Sequence, residues 1–274
     1  MDVNVRLNFA LKLSVIMISS SLLIGCGVIP QKPTSSYGLQ RFAVPEVASK
    51  PLKFSVKTGV ADMYKVTLPA TENGSPEFHC ERELTCSVDD SGYTYADVSV
   101  IKGISFNYNT QLNRMGAIWQ FYGDASDQTK AGNFSQALVV GFSRDKDENS
   151  LPYIADEDPT VFNPRTWSQS TSSVDIGWVG GYRLSDDWLV YGGPFVNYHD
   201  IDKSIHFEKQ INFDVFKMKQ DYALKGRQVG ANIALRYDIL SWLNVDVEFV
   251  SARYTMNNVS NRDSQFNFMV GTRF

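Results

Sequence analysis

The 274-residue sequence predicts an all-β protein: an antiparallel transmembrane β-barrel behind an N-terminal tether. Three observations predict it. Apolar residues alternate with polar or small ones in many short segments, which is the period of a strand. The polar faces of those segments hold glycines and charges of both signs, which suits a lumen in which they pair. After residue 26 no apolar run is long enough for a membrane-spanning helix.

The segments justify this in order. In 98–108, Val98, Val100, Ile104, Phe106 and Tyr108 share one face, with Ser99, Gly103, Ser105 and Asn107 between them. In 115–122, Met115, Ala117, Trp119 and Phe121 alternate with Gly116, Ile118 and Gln120. In 174–184, Val174, Ile176, Trp178, Tyr182 and Leu184 oppose Asp175, Gly177 and Arg183. In 229–239 the odd positions from Val229 to Ile239 are apolar, and Arg236 and Asp238 lie on the other face. In 243–249, Leu243, Val245, Val247 and Phe249 alternate with Asn244, Asp246 and Glu248. In 266–274, Phe266, Phe268, Val270, Thr272 and Phe274 alternate with Asn267, Met269, Gly271 and Arg273. Weaker alternation fits 53–61, 136–143 and 188–198. The charges Lys102, Asp175, Arg236, Asp238, Asp246, Glu248 and Arg273 are expected to face the interior.

These are nine segments, and bacterial single-chain barrels have an even number of strands. Eight strands are favoured over ten. A tenth would have to lie in 144–170, where Pro152, Pro159 and Pro164 argue against a central strand. An eight-stranded barrel has an interior filled by side chains and no open pore.

The connections alternate in length. "LSDD" (184–187) and "LSW" (240–242) are tight, whereas 144–170, 199–222 and 256–265 are longer and polar. Short periplasmic turns and long outer loops are the outer-membrane pattern. Tyr182, Trp188, Tyr237 and Trp242 cluster beside the tight turns, as an aromatic girdle would.

The N-terminal region reads as an export signal. Arg6 and Lys12 precede an apolar run from Leu13 to Ile24 that is too short to span a bilayer. Leu23-Ile24-Gly25-Cys26 then resembles the lipobox of bacterial lipoproteins. The resemblance implies that residues 1–25 are removed and that a diacylglycerol is joined to Cys26. Gly27, standing where an aspartate would favour retention in the inner membrane, implies transfer to the outer membrane. Residues 26–51, rich in proline and serine, read as a flexible tether, and 52–274 as the barrel.

The strand–turn–strand units "VGGYRLSDDWLVYGGPFVNY" and "VGANIALRYDILSWLNVDVEFV" resemble those of small OmpA-type outer-membrane barrels. The closing "FNFMVGTRF" is similar to the C-terminal signal that such barrels present to the barrel-assembly machinery, with Phe274 as the terminal aromatic. The lipobox departs from that family's simple signal peptide. The two resemblances together imply the outer membrane of a Gram-negative bacterium, with a lipid-anchored periplasmic N-terminus. The partners they imply are outer-membrane lipid, lipopolysaccharide, and the barrel-assembly and lipoprotein-sorting machineries.

Cys80 and Cys86 in "FHCERELTC" read as a small disulfide loop in an exported chain, with a metal site using His79 as the rival. The formal net charge is −4 and no basic block occurs, so nucleic acid is excluded as a partner. No cofactor or metal is expected: Asp156-Glu157-Asp158 lacks the spaced oxygens and turn glycine of a calcium loop.

His199-Asp200 lies at the expected outer rim, where a His–Asp pair activates a nucleophile or a water. The pair resembles the rim-located acid and histidine residues of omptin proteases, without a second acidic pair at a matching rim position. "WSQSTSS" (167–173) has no adjacent histidine and fits serines alternating on a strand. The favoured function is a non-enzymatic barrel lipoprotein with a structural or surface-interaction role in the envelope. The alternatives are a rim-site enzyme (a protease or a lipid A modifying enzyme) using His199 and Asp200, and a narrow pore or accessory subunit of an export complex.

Overall fold

The computed structural model describes residues 35–38, 41, 43–66, 89–110, 112–150, 163–211, 214–256 and 259–274. Pro33–Phe274 form one compact unit, and Met1–Lys32, the other, lie outside the described residues. The strands are β1 (Ser35–Gly38), β2 (Phe54–Val66), β3 (Asp89–Ile101), β4 (Ile104–Asn109), β5 (Arg114–Tyr122) and β6 (Phe134–Ser150). They continue as β7 (Asn163–Arg183), β8 (Trp188–Ile211), β9 (Asp214–Leu240), β10 (Leu243–Met256) and β11 (Val259–Arg273).

Strands β2 to β11 pair with their sequence neighbours, all antiparallel, and β2 pairs with both β3 and β11. That closes a ten-stranded barrel and leaves no free edge within it. The closure runs from Phe268↔Val60 to Arg273↔Ser55, and the Phe274 amide donates to the Phe54 carbonyl at 2.8 Å.

Ten strands replace the favoured eight. The missing strand is not in 144–170. It is β3, because 98–108 is two strands joined by the two-residue turn Lys102-Gly103. A two-residue turn preserves parity, so the even apolar positions run through it unbroken. Gly103 adopts φ +80°, and its carbonyl accepts from the Gln120 amide at 2.7 Å. Lys102 is exposed at this turn and does not face the interior.

The three segments read as long loops are mostly strand. β6 and β7 extend pairing to Ser150↔Thr166, β8 and β9 to Ile211↔Asp214, and β10 and β11 to Met256↔Val259. One end of the barrel holds the tight connections β3–β4, β7–β8 and β9–β10 together with the longer β5–β6 connection at 123–133, and the other holds the extended hairpins and the short β4–β5 turn.

The residue distribution is inside-out. Phe266 is 73% exposed and Met115 66%, whereas Asp246 and Glu248 are fully buried. Val174, Ile176, Trp178, Val229, Ile233, Val247 and Phe268 also point outward. An apolar belt of this extent on an exterior face, over a polar interior, is that of an outer-membrane barrel. On β8 the outward set runs from Trp188 to Tyr198 and then turns polar at Asp200 and Asp202. Ten residues at ~3.3 Å along a strand tilted ~40° give a belt about 25 Å tall. Trp188 stacks on Tyr237 at 4.5 Å at its lower margin.

Candidate functional site: an occupied lumen

The interior is not filled by barrel side chains alone. Arg41 and residues 43–47 lie inside the barrel and 48–50 lead out at its tight-turn end, so this part of the expected tether is held by the barrel. Ala43, Val44 and Val47 are buried in one cluster with Ile118, Ala137, Val139, Val179, Leu189, Tyr191 and Ala234. A fully buried valine contributes about 1.5–3 kcal/mol.

Main-chain bonds fix the segment along its length. The Arg41 amide donates to Glu248 Oε2 at 3.0 Å and the Val47 amide to Gln120 Oε1 at 2.7 Å. The Val47 carbonyl accepts from Ser126 at 3.0 Å. The Ser49 amide and hydroxyl donate to Asp127 at 2.9 and 2.7 Å. The chain then reverses at Leu52 (φ 61°), whose amide donates to the Ser99 carbonyl at 2.7 Å, and enters β2. Gly181 admits the segment closely: a Cβ there would meet Pro45 Cγ at 2.6 Å.

Charge holds it as well. Glu46 accepts from Arg183 Nε at 3.0 Å and Nη2 at 2.9 Å, with both side chains almost wholly buried. Arg183 also reaches Asp238 at 3.1 Å, and Asp238 bridges to Arg273 at 3.3 Å. Higher in the lumen, Arg114 grips Asp175 through Nε at 2.6 Å and Nη2 at 2.7 Å. Arg41 approaches the same carboxylate at 3.4 Å and lies 3.8 Å over the Phe195 ring. Arg236 forms two bonds to Asp246, at 2.8 and 2.9 Å, and the Tyr191 hydroxyl donates to Asp246 at 2.9 Å. Glu248 accepts from Asn232 at 2.6 Å and Asn267 at 3.1 Å. Ser55 donates to Asp97 on the neighbouring strand.

Among the described residues the lumen cations are Arg41, Lys57, Arg114, Arg183, Arg236 and Arg273. Six anions face them: Glu46, Asp97, Asp175, Asp238, Asp246 and Glu248. The interior is electrically balanced, and the lumen segment adds one charge of each sign to it through Arg41 and Glu46. A cavity of about 30 Å³ remains beside Arg41, Tyr95, Asn109, Arg114 and Asp175. It has room for one or two waters and no more.

His199 and Asp200 do not act together. Adjacent strand residues point to opposite faces. His199 is buried inside, 6.0 Å from the Tyr254 ring, whereas Asp200 faces outward with Lys225 at 3.9 Å. Among the described residues no group of three or more His, Cys, Asp or Glu is placed to hold a metal ion. Cys26, Cys80, Cys86 and His79 lie outside the described residues, as does Asp156-Glu157-Asp158.

No family model and no curated protein matches the chain. Among solved structures it is similar to outer membrane protease OmpT from Escherichia coli. The identity is 13% and the TM-score 0.35, over 82% of this chain and 94% of that one. At those values the likeness carries no argument about activity. The barrel assignment rests on the closed pairing and the inside-out residue distribution.

The lumen segment had a sequence signal. In "ALVVG" (137–141) and "WLVYGG" (188–193) both faces of the strand are apolar, which a water-filled or purely polar lumen does not require. Something apolar must cover the inward set, and "FAVPEV" (42–47) is the stretch that can.

Proposed function

We propose that the protein is a self-plugged outer-membrane barrel lipoprotein with a non-enzymatic role, presenting a rigid surface in the envelope. The observation that carries this reading is the occupied lumen, locked by the Glu46–Arg183 pair. A conducting pore needs a continuous aqueous path, and Arg41 and residues 43–47 stand in it. A rim enzyme built on His199 and Asp200 needs both groups on one face, and they lie on opposite faces.

Among the described residues, what projects beyond the apolar belt on β6 to β11 is strand. The β8–β9 hairpin runs 13 residues past Tyr198, to Ile211, and its outward residues include Asp202, His206, Lys217, Lys219 and Asp221. Such a hairpin is a stiff platform for contact with lipopolysaccharide sugars or with another envelope protein. In this reading Cys26 carries the lipid, Cys80 and Cys86 are joined to each other, and Phe274 is read during barrel assembly.

Two measurements on the full chain test the proposal. Outer-membrane fractionation with heat-modifiable gel mobility should place the folded barrel in the outer membrane. Planar-bilayer recording of the purified protein should show no steady conductance. A stable open channel from the unaltered protein would overturn the proposal.

A further inference from the structure

The lumen segment has a direction. Its upstream end is at the long hairpins: Ser35–Gly38 pairs with Val66–Met63, beyond the part of β2 that closes the barrel against β11. Its downstream end is at the tight turns, where Ser49 is bonded to Asp127 and Leu52 to Ser99. From Gly38 to Lys50 the 12 residues span about 40 Å when extended, enough to cross the ~25 Å belt and its rim.

In outer-membrane barrels the tight turns face the periplasm and the long hairpins face outward. Ser35 therefore lies on the outer side. Two ways back are closed. The lumen already holds Arg41 and residues 43–47. The bilayer does not accept a lone irregular segment, because each unsatisfied backbone group there costs several kcal/mol.

We propose that the chain passes through its own barrel from the outside inward, so that the segment preceding Ser35 is displayed on the cell surface. This rests on the outer-membrane reading above. Where Cys26 is acylated as that reading holds, its lipid then enters the outer leaflet, not the inner one expected for a periplasmic N-terminus. The reach fits. Val66 lies 12 residues along β2 from Phe54, about 30 Å up a strand tilted ~40°, which is the upper edge of the belt. Cys26 is nine residues before Ser35, a reach of up to about 31 Å.

Epitope insertion in the full chain tests this, with tags at three places: after Pro33, within 151–162, and between Ser126 and Lys130. Antibody is applied to intact and then permeabilised cells. The expected result is binding to the first two tags on intact cells and to the third only after permeabilisation. A tag after Pro33 that is silent on intact cells, while the 151–162 tag is bound, overturns the inward threading and leaves the barrel reading standing. Binding of the 126–130 tag alone on intact cells overturns the membrane orientation, and this proposal with it. Proteinase K treatment of intact cells carrying the untagged chain gives a second readout that does not depend on tag tolerance. Trimming from the N-terminus is expected, and a full-length N-terminus overturns the proposal. Mass spectrometry of the N-terminal peptide reads acylation separately. An unacylated Cys26 removes the outer-leaflet lipid and not the threading.

Discussion

Glu46 of the lumen segment and Arg183 at the foot of β7 form a buried ion pair with a closest approach of 2.9 Å across 137 residues of sequence. Removing Arg183 strands the Glu46 charge, which costs about 3–5 kcal/mol for a buried pair, whereas removing Glu46 leaves Arg183 its Asp238 partner and costs less. Glu46→Ala is therefore expected to lower the temperature of the heat-modified gel shift and to give intermittent conductance in planar bilayers. Arg183→Ala is expected to do the same. The double variant should lose less than the sum of the singles, because neither charge is then left unpaired. Strict additivity in the gel assay would show that the pair does not hold the segment.

Gly181 tests the fit of the segment without touching a charge. A Cβ at this position falls 2.6 Å from Pro45 Cγ and 3.2 Å from Leu189 Cδ1. Gly181→Leu should expel the segment, raise its protease sensitivity and leave the barrel in the outer membrane. Adding Pro45→Ala should restore part of the protection. Unchanged protease resistance in Gly181→Leu would mean that Pro45 does not pack there.

The outward and inward faces of β11 should differ in mechanism. Val270→Arg places a cation on the lipid face, at a cost of roughly 2–4 kcal/mol near mid-bilayer. Asn267→Arg looks milder from the alternation alone. The structure places Asn267 fully buried in the lumen, donating to Glu248 at 3.1 Å and accepting from Gln265 at 2.7 Å, so an arginine there overpacks it. Both variants should impair assembly, whereas Ser204→Arg on the projecting hairpin should not. Heat-modifiable mobility of the three variants decides this, together with deletion of Phe274, which should reduce insertion.

The lower end of the segment should be insensitive to mild acid. Burial raises the Asp127 carboxyl, but hydrogen bonds from the Ser49 hydroxyl and amide outweigh it and hold the group below its ordinary value of 3.8. A folded-state value below the unfolded one gives stability that is present above the unfolded value and lost as pH falls through the folded one. The Ser49 contact should thus persist at about pH 5 and release only below pH 3.8. Amide exchange at Ser49, compared between the unaltered protein and Asp127→Asn, reads it. Release near pH 6 in both would assign the effect elsewhere.

Much of the barrel is legible in the sequence because a membrane barrel states its two faces residue by residue. The odd positions of 229–239 and 243–249 do face outward, as do the even positions of 266–274 except Thr272, which is buried. The strand count is not legible, because the turn at Lys102-Gly103 shifts no parity and so hides the boundary between β3 and β4. The long hairpins are not legible either: beyond the belt both faces of a strand meet water, and the alternation that marks a strand disappears. Proximity in sequence misleads at His199-Asp200, where a strand turns neighbours away from each other. The lumen segment is short, contains Pro45 and has no period of its own. Its sign lies in its partners, in the inward apolar residues Ala137, Val139, Leu189 and Tyr191.

The occupied lumen is tested most directly by photo-crosslinking from inside it. A diazirine analogue of leucine at Val44 replaces one small buried apolar side chain with another of similar size. In the folded protein, irradiation should join it to peptides carrying Ala137–Val139, Val179 or Leu189–Tyr191, the walls of its cluster. Addition of solvent water alone, or crosslinks to lipid or to other envelope proteins, would place Arg41 and residues 43–47 outside the barrel and contradict the self-plugged lumen.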